Sequence, residues 1–352
     1  MKKYFVFTFV ILACLSSVIG VEALDTSAKS AVLIDAASGR IIYEKNSGQC
    51  LPMASTTKIM TALVALENAD KDADVTIPPE AVGVEGSSVC LKAGEQMTLE
   101  QLLYAVMLES ANDAASAVAH IVGGSIDDFA LMMNEKAQSL GLVNTSFANP
   151  HGLDAQNHYT TAYELALISA QAMKNDDFKK IVGTYKYRIP MSESGYRYLM
   201  NHNKMLKMYD GAIGVKTGFT KKSGRCLVSA AEKDGLMLIA VTLNAPNDWR
   251  DHSAMLDYGF ENYEMCTLAR PGEYSFELEC IGKKSTHVKL TNPSGLERCL
   301  KKDSGDITQT VYLPRFVYAP VNCGDALGYI EFSHNGESIG RVELTVSQTD
   351  TD

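Results

Sequence analysis

At 352 residues the chain is long enough for two domains, or for one large domain with an appendage. Its 46% hydrophobic and 21% charged residues support a sizeable core and exclude wholesale disorder. A formal net charge of -10, with no basic patch to neutralise phosphates, argues against nucleic acid as a partner.

The N-terminus reads as a targeting segment. Lys2 and Lys3 precede the apolar run from Tyr4 to Gly20, and Val21, Glu22 and Ala23 occupy the usual cleavage positions. Residues 1–23 are therefore expected to be a secretory signal peptide cut after Ala23, and the protein to be exported. A retained membrane anchor and lipidation at Cys14 are the alternatives, the latter weakened by the poor fit of Leu12. Without Cys14 seven cysteines remain, an odd number: Cys50, Cys90, Cys226, Cys266, Cys280, Cys299 and Cys323. At least one thiol stays unpaired in a monomer, and the spacing gives no connectivity. No C-x-x-C and no zinc-like histidine pair is present, so no metal and no cofactor is expected.

Beyond the leader, two strands fold about Ser38-Gly39. An apolar helix follows Ser55. Thr98 opens another with a Thr-x-x-Gln capping box, a break at Glu109–Asp113 separates it from a third, and Ser125 caps a fourth. Thr160–Met173 is a further helix. The period then changes to that of strands: residues 211–220, 225–232 and 236–245, the last two joined at Lys233-Asp234-Gly235. A helix from Arg250 to Tyr263 follows. Strands at both ends with helices between them predict an α+β catalytic unit over residues 24–269, an antiparallel sheet with helices inserted in its middle. Past Arg270-Pro271-Gly272 only short β runs remain, so residues 273–352 are expected to form a small all-β sandwich.

Ser55 and Lys58 lie three apart at the start of a helix, on one face and within reach of each other. A serine hydroxyl is a weak nucleophile until a base takes its proton, and lysine serves if desolvation or a neighbouring cation lowers its pKa. The apolar run behind Lys58 supplies the desolvation. The plainer reading is an N-cap serine beside a snorkelling lysine. Ser110-Ala111-Asn112 falls in a helix break, where side chains can project into a cleft, or simply cap the next helix. Lys216-Thr217-Gly218 lies within a β run, where Gly218 removes a side chain at a close approach, or marks a strand end with a solvated lysine.

Together and in this order the three form the S-x-x-K, S-x-N and K-T-G set of penicillin-binding proteins and serine β-lactamases. The chain closely resembles the D-alanyl-D-alanine carboxypeptidases, the low-molecular-mass penicillin-binding proteins, over nearly its whole mature length. Residues 31–46, 147–166, 201–206 and 209–220 carry the likeness beyond the motifs. The resemblance implies a penicillin-binding-protein-like α+β fold with a C-terminal β domain, and a substrate that is a peptidoglycan stem peptide ending in D-Ala-D-Ala. It also implies β-lactams as covalent inhibitors and a place at the outer face of the cytoplasmic membrane. Ser55 would be the nucleophile, Lys58 its base, and Ser110 the relay to the departing D-alanine. Asn112 would bind the substrate backbone. Lys216 and Thr217, with Gly218 beside them, would hold the terminal carboxylate, and Lys216 would also help keep Lys58 neutral by like-charge repulsion. The amides of Ser55 and Phe219 would form the oxyanion hole. Arg250 resembles an arginine near the carboxylate site of relatives, with a surface helix charge as the alternative. His151, in Pro150-His151-Gly152, is read from the residues as a loop histidine bonding its own backbone, with a place at the cleft rim as the alternative.

Two departures stand out. The chain ends in VELTVSQTDTD, without the apolar face of an amphipathic membrane anchor. The centre of the second motif is Ala111, not the aspartate of class A β-lactamases. A β-lactamase would need a glutamate activating the deacylating water, for which Glu164 is a poor match, and a non-catalytic β-lactam sensor would keep the pocket and lose turnover.

Overall fold

The computed structural model describes residues 24–191, 195–282 and 287–349; the expected leader, with Cys14, lies outside them. The chain opens with β1 (Ser30–Asp35) and β2 (Ile41–Lys45), paired about a turn that the Asp35 carboxylate closes by accepting from Ala37 N and Ser38 N. Gly39 sits there at φ 73°, a left-handed conformation that glycine adopts without the strain a Cβ would bring. A 3₁₀ turn, Ala54–Thr57, runs into α1 (Lys58–Asn68). The short pair β3 (Asp74–Thr76) and β4 (Gln96–Thr98) then brackets a long loop.

Three helices follow: α2 (Leu99–Leu108), α3 (Asn112–Gly123) and α4 (Ile126–Ser139). The Thr98–Gln101 capping box and the Ser125 cap form as the sequence predicts. Then come α5 (Ala162–Ala172), α6 (Asp176–Gly183), the hairpin β5 (Lys186–Pro190) and β6 (Tyr196–Met200), and the single turn α7 (Met205–Met208). The strands β7 (Ala212–Thr220), β8 (Gly224–Lys233) and β9 (Leu236–Leu243) lead to α8 (Asp248–Asn262). They join the first hairpin in one antiparallel sheet of order β2-β1-β9-β8-β7. The expected α+β arrangement is therefore present, with the helices inserted between β2 and β7.

The helix α1 is the pivot of this arrangement. Every residue from Lys58 to Ala65 is buried, and all but Lys58 and Thr61 belong to one apolar cluster with residues of α2, α3, α5 and one face of the sheet. A helix apolar all round belongs in the middle of a domain. Being central, it can present its first turn to both the helical side and the outer strand β7.

The C-terminal unit comprises β10 (Tyr263–Ala269), β11 (Ser275–Ile281), β12 (His287–Thr291), β13 (Leu296–Lys301), β14 (Ile307–Tyr312), β15 (Phe316–Tyr318), β16 (Ala326–His334) and β17 (Glu337–Thr349). Six of these strands form a sheet of order β14-β16-β17-β12-β11-β15, whose core is shared with the β10–β13 pair. By hydrogen bonding β10 goes with the β-rich tail, although the sequence boundary at Arg270 leaves it with the catalytic unit. The cysteines at 50, 90, 226, 266, 280, 299 and 323 are all free thiols.

Glu164 has a structural task. Its carboxylate, largely buried, accepts from Val143 N at 3.1 Å, Asn144 N at 2.9 Å and the Thr145 hydroxyl. Glu164→Ala leaves these donors unpaired and is expected to lower unfolding free energy by about 2–4 kcal/mol. Denaturant unfolding checks this; a loss below about 1 kcal/mol would show the loop to be held by other contacts.

Candidate active site

Ser55 does not cap the helix. The N-cap position of α1 is Thr57, no side chain caps either the 3₁₀ turn or the helix, and the Ser55 hydroxyl instead faces Lys58 Nζ at 3.0 Å. Ala54, just before it, has φ 47°, and Ser110 has φ 58°. Left-handed backbone at residues carrying a Cβ costs of order 1–3 kcal/mol and persists only where the surroundings impose it. Here both strained residues flank one cleft.

Lys58 is fully buried, and its Nζ has three oxygen neighbours: Ser55 Oγ, Asn112 Oδ1 at 2.7 Å and the His151 carbonyl at 2.6 Å. Burial pushes its pKa well below the usual lysine value; the Lys216 charge adds to the push and Asp113 opposes it. A neutral amine has two N–H groups and one lone pair. The Asn112 and His151 oxygens can only accept, so they take the two N–H groups. The lone pair is then left for the one neighbour able to donate, the Ser55 hydroxyl.

Each acceptor is itself held. Asn112 Nδ2 donates to the Glu85 carbonyl at 2.6 Å, which fixes Oδ1 toward the lysine. Expected to bind the substrate backbone, Asn112 is 4% exposed, with its amide oxygen engaged by Lys58 and its amide nitrogen by Glu85. The neighbouring Asp113 carboxylate accepts from Val89 N, Leu91 N and the Ser88 hydroxyl, tying residues 88–91 to the same site. The His151 carbonyl is presented by the segment 147–160. There Asn149 Oδ1 accepts from Gly152 N at 2.7 Å, Thr61 donates to the Pro150 carbonyl at 2.6 Å, and His158 contacts Thr57. Gly152 must be glycine: at φ 91°, a Cβ would lie 2.0 Å from the Ala54 carbonyl oxygen. The His151 ring, with a pKa lowered to about 3 by burial and then by Lys58, accepts from Leu153 N, the local backbone bond expected of it.

From the other side β7 brings Lys216, Thr217, Gly218 and Phe219. A Cβ on Gly218 would stand 3.0 Å from Ser55 N and 3.1 Å from Thr56 N, so the glycine is what lets the strand lie against the serine turn. Lys216 is 1% exposed; its ammonium donates to the Thr217 carbonyl, and burial lowers its pKa to about 7. A cleft of about 380 Å³ opens over these residues, lined by Ser55, Ser110, Thr217, Gly218 and Phe219 together with Ser87, His202, Lys204, Arg225, Cys226, Asp248 and Trp249.

Arg250 is not part of this cleft. It lines a separate depression with Leu24, Ser27, Asn247 and Asp251. The reason is helical geometry: α8 begins at Asp248, successive residues turn by about 100°, and with Asp248 and Trp249 facing the cleft Arg250 is carried past it. The guanidinium at the cleft belongs to Arg225, on β8. Sequence reasoning missed it, along with the His151 carbonyl; no spacing marks either. Glu164, bound to the 143–145 backbone, is not among the residues lining the cleft, so it is not placed as the water-activating glutamate of a class A β-lactamase.

A family model described as D-alanyl-D-alanine carboxypeptidase matches residues 17–247. The chain belongs to that family. It is 34% identical over 331 residues to the D-alanyl-D-alanine carboxypeptidase DacF of Bacillus subtilis, covering 91% of this chain and 85% of the relative. It is 31% identical over 357 residues to DacC of Escherichia coli, covering 93% and 85%. The solved structure of penicillin-binding protein 5 from Haemophilus influenzae superposes with a TM-score of 0.78 at 27% identity, over 94% of this chain and 99% of that one. The protein is thus a serine-type D-Ala-D-Ala carboxypeptidase of peptidoglycan metabolism.

The buried Lys216 of this carboxypeptidase has a stability consequence with a definite sign. Its folded pKa, about 7, lies below the ordinary 10.5, so unfolding takes up a proton between those values and stability falls as pH drops through that window. Lys216→Met is expected to stabilise the fold at pH 7 by on the order of 4 kcal/mol. The gain should shrink as pH rises toward 10.5. Denaturant unfolding at neutral and alkaline pH checks it; no gain at neutral pH would mean the lysine is solvated.

Proposed function

We propose that the cleft removes the terminal D-alanine of peptidoglycan stem peptides by acyl transfer through Ser55. The observation that carries the reading is the Ser55–Lys58 pair, with the amine dry and its two other neighbours pure acceptors. Ser55 Oγ attacks the carbonyl between the two D-alanines as its proton passes to Lys58 Nζ. The C–N bond then breaks, and the proton reaches the leaving amine through the Ser110 hydroxyl. D-Alanine departs, leaving an ester on Ser55 that water hydrolyses to the shortened peptide and free enzyme. Ser55 N and Phe219 N would donate to the oxyanion, a reading supported by the close approach of the Gly218 backbone to the Ser55 turn.

Asn112 takes a role altered from the one the motif suggests: it orients Lys58. Lys216 keeps the part the resemblance gives it in holding Lys58 neutral by like-charge repulsion, while Thr217 meets the substrate. β-Lactams, with a strained amide in the same place, acylate Ser55 and stay. The leader pattern over residues 1–23 and the wall-bound substrate support action outside the cytoplasm, at the outer face of the membrane.

Incubation with penicillin followed by mass spectrometry should place the adduct on the peptide containing Ser55. Wild type should release D-alanine from a peptide ending in D-Ala-D-Ala, and Ser55→Ala should lose at least about 10³-fold. A folded wild type that releases no D-alanine defeats the hydrolase in favour of a β-lactam sensor. Lys216→Met should also move the acid limb of Ser55 acylation to higher pH, because Lys58 loses the repulsion that lowers its pKa. An unmoved limb would mean that burial alone sets the base.

A further inference from the structure

We propose that Arg225 recognises the free C-terminal carboxylate of the substrate and so confers the requirement for a chain end; this rests on the carboxypeptidase reading of the Ser55 cleft. Arg225 stands on β8 directly opposite Phe219, one position along from the Cys226–Gly218 pair at which the strand meets the Ser55 amide. The scissile carbonyl belongs beside that amide. The carboxylate of the last D-alanine lies one residue further on, about 3.8 Å along an extended chain. A long side chain at position 225 reaches that point.

The chemistry of the cleft favours it over the other cations. Lys216 is buried beneath the strand and directs its amine to the Thr217 carbonyl. Burial also draws its pKa to about 7, so its charge varies across the neutral range. A guanidinium keeps its charge throughout and offers five N–H donors in a planar fork. At Arg225 one nitrogen, Nη2, is engaged by Asp248 Oδ1 at 2.9 Å, while the side chain remains 43% exposed. Donors are therefore left for a carboxylate, which suits two parallel N–H···O bonds.

The fork is also held in place. Asp248 is 4% exposed at its side chain and fixes one end, and the Trp249 ring lies with its centroid 5.6 Å from the guanidinium carbon. Both come from the first turn of α8, so the helix start that carries Arg250 away supplies the clamp for Arg225. Asp248 and Trp249 act as positioning residues. Lys204 and His202 line the same cleft and are exposed, and His202 Nε2 sits 3.3 Å from the Glu109 carboxylate.

The test compares an N-acylated peptide ending in D-Ala-D-Ala with the same peptide carrying a C-terminal amide, for wild type and for Arg225→Ala, Arg225→Lys, Lys204→Ala and Arg250→Ala. Wild type should prefer the free acid. In Arg225→Ala, kcat/KM on the acid should fall about 10- to 100-fold, chiefly through KM, with little change on the amide, so the preference collapses. Arg225→Lys, which keeps the charge and loses the fork, should recover part of it, and Arg250→Ala and Lys204→Ala should keep it whole. Should Arg225→Ala fail to fold, the several-fold loss in Arg225→Lys carries the test. A preserved preference in both Arg225 variants, equal losses on acid and amide, or a collapse in Lys204→Ala or Arg250→Ala overturns the assignment. Wild type releasing no D-alanine from the acid would defeat the carboxypeptidase reading beneath it, a different result from an active enzyme indifferent to Arg225.

Discussion

The structure depends on one unfavourable placement, a lysine amine in the middle of an apolar core. In water Lys58 would be an ammonium and useless as a base. Fully buried at the start of α1, it is pressed toward the neutral form, and its two carbonyl neighbours then aim its lone pair at Ser55. The stabilisation lost by desolvating the amine is what confers its reactivity. A second buried lysine reinforces the effect by repulsion, and the buried Asp113 partly offsets it.

Around that amine the chain closes from several directions. The helix break at Ser110–Asp113 brings Asn112, the segment 147–160 brings the His151 carbonyl, and β7 seals the outer side. Two of these approaches are made without a side chain: Gly152 against the Ala54 carbonyl and Gly218 against the Ser55 amide. Positive φ at Ala54 and Ser110 shows the backbone held out of its comfortable regions at the two serines facing the cleft. Strain of this kind is tolerable because the central helix and its core contacts over-determine the turn.

Charge is divided by depth. The lysines at the proposed nucleophile are buried, where their fields are strong and their protonation is adjustable. The permanent charge of Arg225 sits at the cleft surface, where it meets solvent and ligand, steadied by Asp248. A group that must lose its proton and a group that must keep its charge need opposite environments, and the fold provides one at the buried start of α1 and the other on β8 at the cleft surface.

The sequence by itself determined the order of elements, the central apolar helix, the capping boxes at Thr98 and Ser125, and the motif residues Ser55, Lys58, Ser110, Lys216, Thr217 and Gly218. These were legible because periodicity, caps and short-range spacing are local properties of the chain. It could not decide between a capping serine and one facing Lys58, since both fit the same spacing; only packing against the segment 147–160 and β7 did so. The His151 carbonyl left no signal because any residue carries a backbone oxygen. Arg225 and Arg250 are equally plausible as letters. The register of β8 against β7 and the rotation of α8 put the first at the cleft and the second outside it, and both are set by tertiary contacts.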